Sequence, residues 1–343
     1  MELFDTLELV GMSEAFDAPS QFLFNLFFGT SRITFESEEI MFDKIKSSRR
    51  IAPYVSPHIP GKVHALRGGT AKTFRPAYVK PKAPVNPGAV IKRRPGEAPL
   101  GSLSREERFN RIVVQEFQDQ LDMIARREEQ MAVEILRTGK VIVESPEYPR
   151  MEVDFARPAN QTVVLAGTAR WGETGVNPLD DIKAWAELVH VSSGTHPGRV
   201  IFDPKAAGLF LANEQLQKIL DNRRQVSGSF ELAGQATGGT PGLEAVFIGS
   251  IGQFEFWQYQ AIYQADNGAM QKFMPDNTVI MGSAGIEGHA CYGAIQDLEG
   301  LQAMERFPKM WEEKDPSVAM LMTQSAPLPV PANIEASFCA TVR

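Results

Sequence analysis

The sequence has few cysteines, few histidines and no long apolar run. Two cysteines in 343 residues cannot build a disulfide framework, and their scarcity suits a reducing compartment. A membrane-spanning helix needs roughly 20 apolar residues, but Asn25 interrupts the longest candidate, Phe22 to Phe28. The first residues include Glu2 and Asp5 rather than a basic segment, which argues against a signal peptide. We therefore expect synthesis in the cytoplasm and no association with a membrane.

The motifs of common catalytic sites are also missing. Gly61-Lys62 and Gly139-Lys140 are each followed by Val, so neither completes a phosphate-binding loop. Gly249-Ser250-Ile251-Gly252 lacks the spacing of a hydrolase nucleophile elbow. We therefore predict no catalytic residue and no cofactor, and we do not expect an enzyme.

Two small groups of polar residues have a functional and a structural interpretation. His289 and Cys291 flank one alanine, but two ligands do not make a zinc site, so we interpret them as a strand residue and a buried thiol. Glu128 and Glu129 lie beside arginines on a predicted helix, and we interpret them as a solvated face. Neither group predicts a metal site or acid–base chemistry.

Positive charge is concentrated in one segment. Residues 44–96 contain 13 Lys and Arg and no Asp or Glu. Subtracting these charges from the formal net charge of -7 leaves -20 for the rest of the chain. Such a basic segment binds either a polyanion or the acidic surface of another copy. The negative total argues against a dedicated nucleic-acid-binding protein.

Aromatic residues are concentrated at the N-terminus. The first 50 residues hold eight of the 21 phenylalanines, including Phe22, Phe24, Phe27 and Phe28. These rings belong either to the core of their own domain or to an arm that docks on a neighbouring subunit. The second alternative predicts that deletion of residues 1–30 leaves a folded subunit that assembles poorly.

Residues 51–101 contain nine prolines, a spacing that excludes a long helix. Val63 to Leu66 and Thr73 to Val79 are short enough to be extended strands between them. We interpret the segment as a long two-stranded loop that reaches away from the body. A loop of this length is unusual in a compact monomer, so we expect it to lie on a neighbour.

Ser104 to Thr138 is the strongest predicted helix. Ser104 and Glu107 form a capping box at its start, and Gly139 follows its end. Apolar residues recur at helical spacing, and Phe117 and Leu121 should face the core. At 1.5 Å per residue the helix would be about 50 Å long.

The remainder mixes helices and strands, so the fold class is α+β. Asn177-Pro178 precedes a helix that runs to about His190, and Lys205 to Leu220 is a second helix. The predicted strands are Lys140–Glu144, Met151–Phe155, Arg199–Phe202, Ala245–Ile248, Gln253–Tyr259 and Thr278–Met281.

Several motifs follow one another in an order known from one family. They include Tyr54-Val55-Ser56-Pro57, Arg67-Gly68-Gly69, Tyr78-Val79-Lys80-Pro81-Lys82, Phe273-Met274-Pro275-Asp276-Asn277-Thr278 and Arg306-Phe307-Pro308-Lys309-Met310-Trp311. In these motifs the chain resembles the lambda-type bacteriophage major capsid proteins, the phage capsid E family. The likeness extends over most of the chain and is weaker in residues 140–270.

The resemblance implies a Hong Kong-type phage capsid fold. Its parts would be an N-arm (1–50), an E-loop (51–101), a peripheral domain (102–176) with a spine helix (104–138), an axial domain (177–285), a return to the peripheral domain (286–319) and C-terminal strands near the axial domain (320–343). It further implies contacts between subunits through E-loop residues Lys62, Arg67, Lys72, Arg75, Lys80 and Lys82, and through N-arm residues Phe22, Phe24, Phe27 and Phe28.

The resemblance also implies a structural function without catalysis. The chain would self-assemble into hexamers and pentamers of an icosahedral shell that encloses double-stranded DNA without sequence-specific binding. Expected partners are a decoration protein, a scaffold, a portal and a maturation protease of the phage. Assembly would take place in the host bacterial cytoplasm, and the protein would end in the virion. Two rivals remain, a nucleic-acid-binding protein that uses residues 44–94 and an enzyme with an unrecognised site.

Overall fold

A computed structural model describes residues 4–13, 16, 21–45, 51–52, 54–58, 60, 69–91, 104–145, 148–214, 216–217, 244–265, 267–298, 303–315 and 317–343. The chain forms two compact units. Unit 1 comprises residues 1–40, 75–133 and 289–329, and unit 2 comprises residues 41–74, 134–288 and 330–343. Each unit is assembled from separate segments of the chain and mixes helix and sheet, as expected for an α+β protein.

The helices are α1 (Thr6–Ser13), α2 (Phe22–Phe27), α3 (Pro87–Ile91), α4 (Arg105–Thr138), α5 (Pro178–Ser193) and α6 (Pro204–Leu211). The strands are β1 (Ser31–Thr34), β2 (Ile40–Ile45), β3 (Gly69–Phe74), β4 (Lys82–Val85), β5 (Lys140–Ser145), β6 (Tyr148–Asp154), β7 (Thr162–Val164), β8 (Arg199–Phe202), β9 (Ala245–Ile251), β10 (Phe254–Tyr259), β11 (Ile262–Gln264), β12 (Met270–Lys272), β13 (Thr278–Gly282), β14 (Gly288–Tyr292), β15 (Phe307–Lys314), β16 (Ser317–Gln324), β17 (Pro327–Pro331) and β18 (Ser337–Thr341). Within the described residues, no helix has the length and apolar composition that a membrane crossing requires.

Helix α4 begins and ends where its capping residues predict. The backbone N–H of Ser104 donates to the Glu107 carboxylate at 2.7 Å, and the N–H of Glu107 donates to Ser104 Oγ at 3.1 Å. This reciprocal pair satisfies two donors at the helix start. At the other end Gly139 has φ +74°, a left-handed conformation that glycine adopts without strain.

The core of unit 1 lies between α4 and a three-stranded sheet. That sheet has the order β15-β16-β4, and its neighbouring strands are antiparallel. The predicted core face of α4 is confirmed, because Phe117 is fully buried and Leu121 nearly so. Both belong to one apolar cluster with Val113 of the same helix, Val85 of β4 and Leu321 of β16. A fully buried side chain of this size contributes about 1.5–3 kcal/mol.

Unit 2 is built on a six-stranded sheet of order β7-β18-β13-β8-β10-β9. Its aromatic core includes Trp171, Trp185, Phe202 and Phe338, and the Trp185 and Phe338 rings stack at 5.1 Å between centroids. Helix α5 contributes Trp185 to this core, so one face of the helix is anchored on the sheet. The C-terminal strand β18 pairs with β13 in this sheet, whereas β16 belongs to unit 1.

Two expectations from the sequence are wrong in part. The helix expected over Lys205 to Leu220 ends at Leu211. Asn213 follows, and its side-chain oxygen accepts the N–H of Leu216 at 3.2 Å, which begins a separate turn. The segment 51–101 was expected to be a two-stranded loop that reaches away from the body. Strands β2 and β3 do form a two-stranded sheet, but the part of the segment in β4 pairs with β16 of the same chain. The strand expected over Val63 to Leu66 lies outside the described residues.

Candidate assembly surfaces

The N-terminal helix α2 is held by a buried carboxylate of α4. The two oxygens of Glu129 accept the backbone N–H groups of Leu23 and Phe24, at 2.9 and 2.8 Å. The first N–H groups of a helix have no partner within it, and Gln21 offers no side-chain cap to α2. Glu129 therefore caps α2, although it lies more than 100 positions further along the chain.

The adjacent Glu128 contacts the same N-terminal segment and two further segments of unit 1. Its carboxylate accepts from Gln21 Nε2 at 2.7 Å and from the Tyr292 hydroxyl at 3.1 Å. The Arg306 guanidinium lies 3.6 Å away and supplies the opposite charge. Burial, and then the nearby Glu128 charge, raises the pKa of Tyr292, so its hydroxyl stays protonated and donates.

The interpretation of Glu128 and Glu129 as a solvated face is therefore wrong, because each side chain is only 1% exposed. A signal for burial was present in the sequence. Glu128 follows Ile124 by four positions and precedes Met131 by three, which places it on the apolar face of α4. The groups that hydrogen-bond or pair with these buried carboxylates, however, belong to distant segments, and helical spacing does not reveal them.

The N-terminal phenylalanines are placed mostly within the subunit. Phe24, Phe27 and Phe28 are buried in this single chain, and Phe22 is half-buried. This favours the alternative in which the rings belong to their own core. Deletion of residues 1–30 is then expected to destabilise the subunit, because it removes these rings and the partners of two buried carboxylates. A contact of Phe22 with a neighbour stays a prediction.

The basic residues of the predicted E-loop have partners in their own chain where they are described. Arg75 lies 3.4 Å from Glu38, and Lys80 lies over the Tyr78 ring at 4.7 Å. Exposed pairs of this kind contribute about 0–1 kcal/mol and are readily exchanged for other partners. Contact of these residues with a neighbour therefore remains a prediction.

Lys82 has two such internal partners. Its ammonium lies 3.6 Å from the Glu313 carboxylate and over the Trp311 ring at 4.8 Å. Both partners belong to β15, so Lys82 reaches across the small sheet of unit 1. The remaining predicted contact residues, Lys62, Arg67 and the side chain of Lys72, lie outside the described residues.

The edge strand β4 carries a proline where its backbone points outward. Val79 and Ser325 exchange two backbone hydrogen bonds, at 2.8 and 3.0 Å. Alternate residues therefore direct their backbone groups at β16, and the backbone groups of Lys82 and Pro84 point away from it. Pro84 has no N–H to offer another strand, which limits strand addition at this edge.

In unit 2, Arg157 anchors the C-terminal end of α4. Its guanidinium donates to the carbonyl of Leu136 at 2.6 Å and to the carbonyl of Arg137, and also to Thr162 Oγ1. A positive group at this end satisfies carbonyls that lack helical partners and opposes the helix dipole. Burial lowers the pKa of Arg157. Arg157 was missed in the sequence because a single arginine in a loop carries no positional signal.

Two features of the described residues bear on metal and ligand binding. No group of three or more His, Cys, Asp or Glu there is placed to hold a metal ion. A hollow of about 330 Å³ in unit 1 is lined mainly by apolar residues such as Val85 and Val90, with Arg105 and Glu312 as its charged residues. The interpretation of Cys291 as a buried thiol is confirmed, and this burial raises its pKa to about 12.

The fold is that of a phage capsid protein. A crystal structure of a protein assigned as a capsid protein of an Escherichia coli CFT073 prophage matches with a TM-score of 0.75 at 22% identity, over 99% of each chain. The capsid structure of cyanophage P-SCSP1u matches with a TM-score of 0.51 at 8% identity, over 95% of this chain and 89% of that one. The predicted Hong Kong-type fold is confirmed.

Sequence comparison shows the family to which the chain belongs. The model of the family described as phage major capsid protein E matches residues 5–342, and the chain belongs to this family. The major capsid protein of Escherichia phage lambda is 32% identical over 337 residues, 96% of each chain. That of Enterobacteria phage P21 is 32% identical over 338 residues, again 96% of each chain. The resemblance drawn from the motifs is confirmed.

Proposed function

We propose that this chain is the major capsid protein of a tailed bacteriophage. Copies assemble through hexamers and pentamers into an icosahedral shell around double-stranded DNA. The observation that carries the proposal is the family match over nearly the whole chain, joined to a capsid fold of the same extent. The protein acts as a structural subunit and performs no catalysis.

The proposed partners are other copies of the chain, a decoration protein, a scaffold, a portal and a maturation protease of the phage. Assembly takes place in the host cytoplasm, and the product is the virion shell. The negative net charge supports a container wall to which packaged DNA does not adhere. The basic segment 44–96 then serves contacts between proteins.

Negative-stain electron microscopy of the purified full-length protein tests the proposal. We expect closed shells, tubes or sheets of hexamers, alone or with the scaffold of the same phage. A protein that stays monomeric in both conditions would contradict it. Filter binding to duplex DNA addresses the nucleic-acid rival, which predicts tight binding that weakens steeply with salt.

A further inference from the structure

Helix α5 has a second apolar stripe on the side opposite its core. Ala184, Leu188 and Val191 follow the spacing i, i+4 and i+7, which places them on one helical face. All three are exposed, Leu188 by 38% and Val191 by 69%. The outer face of a helix in a soluble protein is normally polar. Grouped exposed apolar residues are a feature of surfaces that bind another protein.

The border of this stripe is acidic. Asp180 and Glu187 are exposed on the same side of α5. Lys183 lies 3.5 Å from Asp180 and offsets one of the two charges. The stripe therefore has a border with one net negative charge and should favour an apolar surface that carries positive charge.

A surface with those properties exists on the same unit. The hairpin of β11 and β12 exposes Ile262 by 53% and Met270 by 61%. Ile262 pairs with Lys272, so Lys272 lies on the same face as Ile262. Lys272 and Lys205 both lie 2.5 Å from Asp276, so two ammonium groups share one carboxylate beside the hairpin.

We propose that the α5 stripe of one subunit binds the β11–β12 hairpin of a second copy. This inference rests on the proposed function. A ring of identical subunits is closed by contacts between two different patches. Both patches are apolar, and each offers one charge that the other can pair with, Glu187 beside the stripe and Lys272 on the face of Ile262. The aliphatic side chains form the contact, and the charged borders fix its register.

Cysteine cross-linking tests the contact directly. The variant Leu188→Cys, Ile262→Cys is assembled and then treated with a mild oxidant. Burial raises the pKa of both native cysteines, to about 12 for Cys291 and about 11 for Cys339, so they contribute little background. We expect a ladder of covalent oligomers up to the complete ring on a denaturing gel. The matched control is Val164→Cys, Ile262→Cys, because Val164 is 70% exposed but lies outside the stripe.

The outcomes separate this inference from the proposed function. Assembled shells that give no ladder, give dimers only, or give the same ladder with the control pair overturn the contact alone. A wild-type protein that forms no assembly overturns the proposed function and the contact with it. A charge reversal adds a second arm, in which Glu187→Lys lowers the shell yield at least tenfold and Lys272→Glu restores it. Failure of that restoration overturns the assigned partner.

Discussion

Helices α4 and α5 differ in which side chains they bury and which they expose. Helix α4 buries two carboxylates, Glu128 and Glu129, and uses them to hold the N-terminal segment. Helix α5 carries an apolar stripe in which Leu188 is 38% and Val191 69% exposed. Buried charge is costly unless it is paired, so the α4 arrangement fixes one internal geometry. Exposed apolar surface is a feature of sites that bind another molecule.

The α4 contacts thus hold one subunit together, whereas the proposed α5 contacts form between subunits of the shell. Substitutions at the α4 contacts should lower the stability of the subunit. Substitutions on the outer face of α5 should leave stability nearly unchanged and impair assembly. Among the substitutions below, we expect the largest loss of stability at the buried Phe117 of α4 and the smallest at the exposed Lys80 and Lys82.

Phe117→Asp should prevent folding into soluble subunits. The side chain is fully buried, and a carboxylate there loses its hydration without gaining a partner. Loss of the ring alone costs about 3–5 kcal/mol. Soluble yield and the thermal melt are the measurements. Met123→Asp on the same helix is the control, because Met123 is 53% exposed. Normal shells from Phe117→Asp would show that the assigned face is wrong.

Glu129→Ala should release the start of α2. It removes the acceptor of two backbone N–H groups, and each buried donor without a partner costs about 1–3 kcal/mol. Urea unfolding measures the loss. Asp119→Ala serves as the control, since Asp119 is exposed on the same helix. Equal stability of the two variants would argue that the Glu129 cap contributes nothing.

Arg157→Met should lower the free energy of unfolding by about 1–3 kcal/mol, because the carbonyls of Leu136 and Arg137 lose a charged donor. The same measurement on Arg150→Met gives the reference, since that side chain is mostly exposed. If both substitutions cost the same, Arg157 does not anchor the end of α4.

Lys80→Glu with Lys82→Glu should change subunit stability least. The pair of Lys82 with Glu313 is exposed and contributes about 0–1 kcal/mol. We nevertheless expect slower or misdirected assembly, judged by electron microscopy, if the lysines contact a neighbour. Adding Glu313→Lys restores only the internal pair. Full recovery of assembly by that addition would assign the lysines to their own subunit.

The sequence predicted the elements whose signals are local. Helix α4 was placed to within one residue because Ser104, Glu107 and Gly139 define its ends. The strand Arg199–Phe202 was also placed correctly. Sequence reasoning failed where the structure depends on distant partners. The Glu129 cap needs α2, and the pairing of β4 needs β16, and neither relation has a local pattern.

Hydrogen exchange of the separated subunit and of the assembled shell most directly tests which contacts lie within one subunit and which form between subunits. Amides of residues 21–28 should be equally protected in both states, because Glu129 and the buried rings hold them within one chain. Amides of α5 near Leu188 and of the β11–β12 hairpin should gain protection only in the shell. Rapid exchange of residues 21–28 in the subunit and their protection on assembly, with no change in α5 or the hairpin, would contradict the distinction.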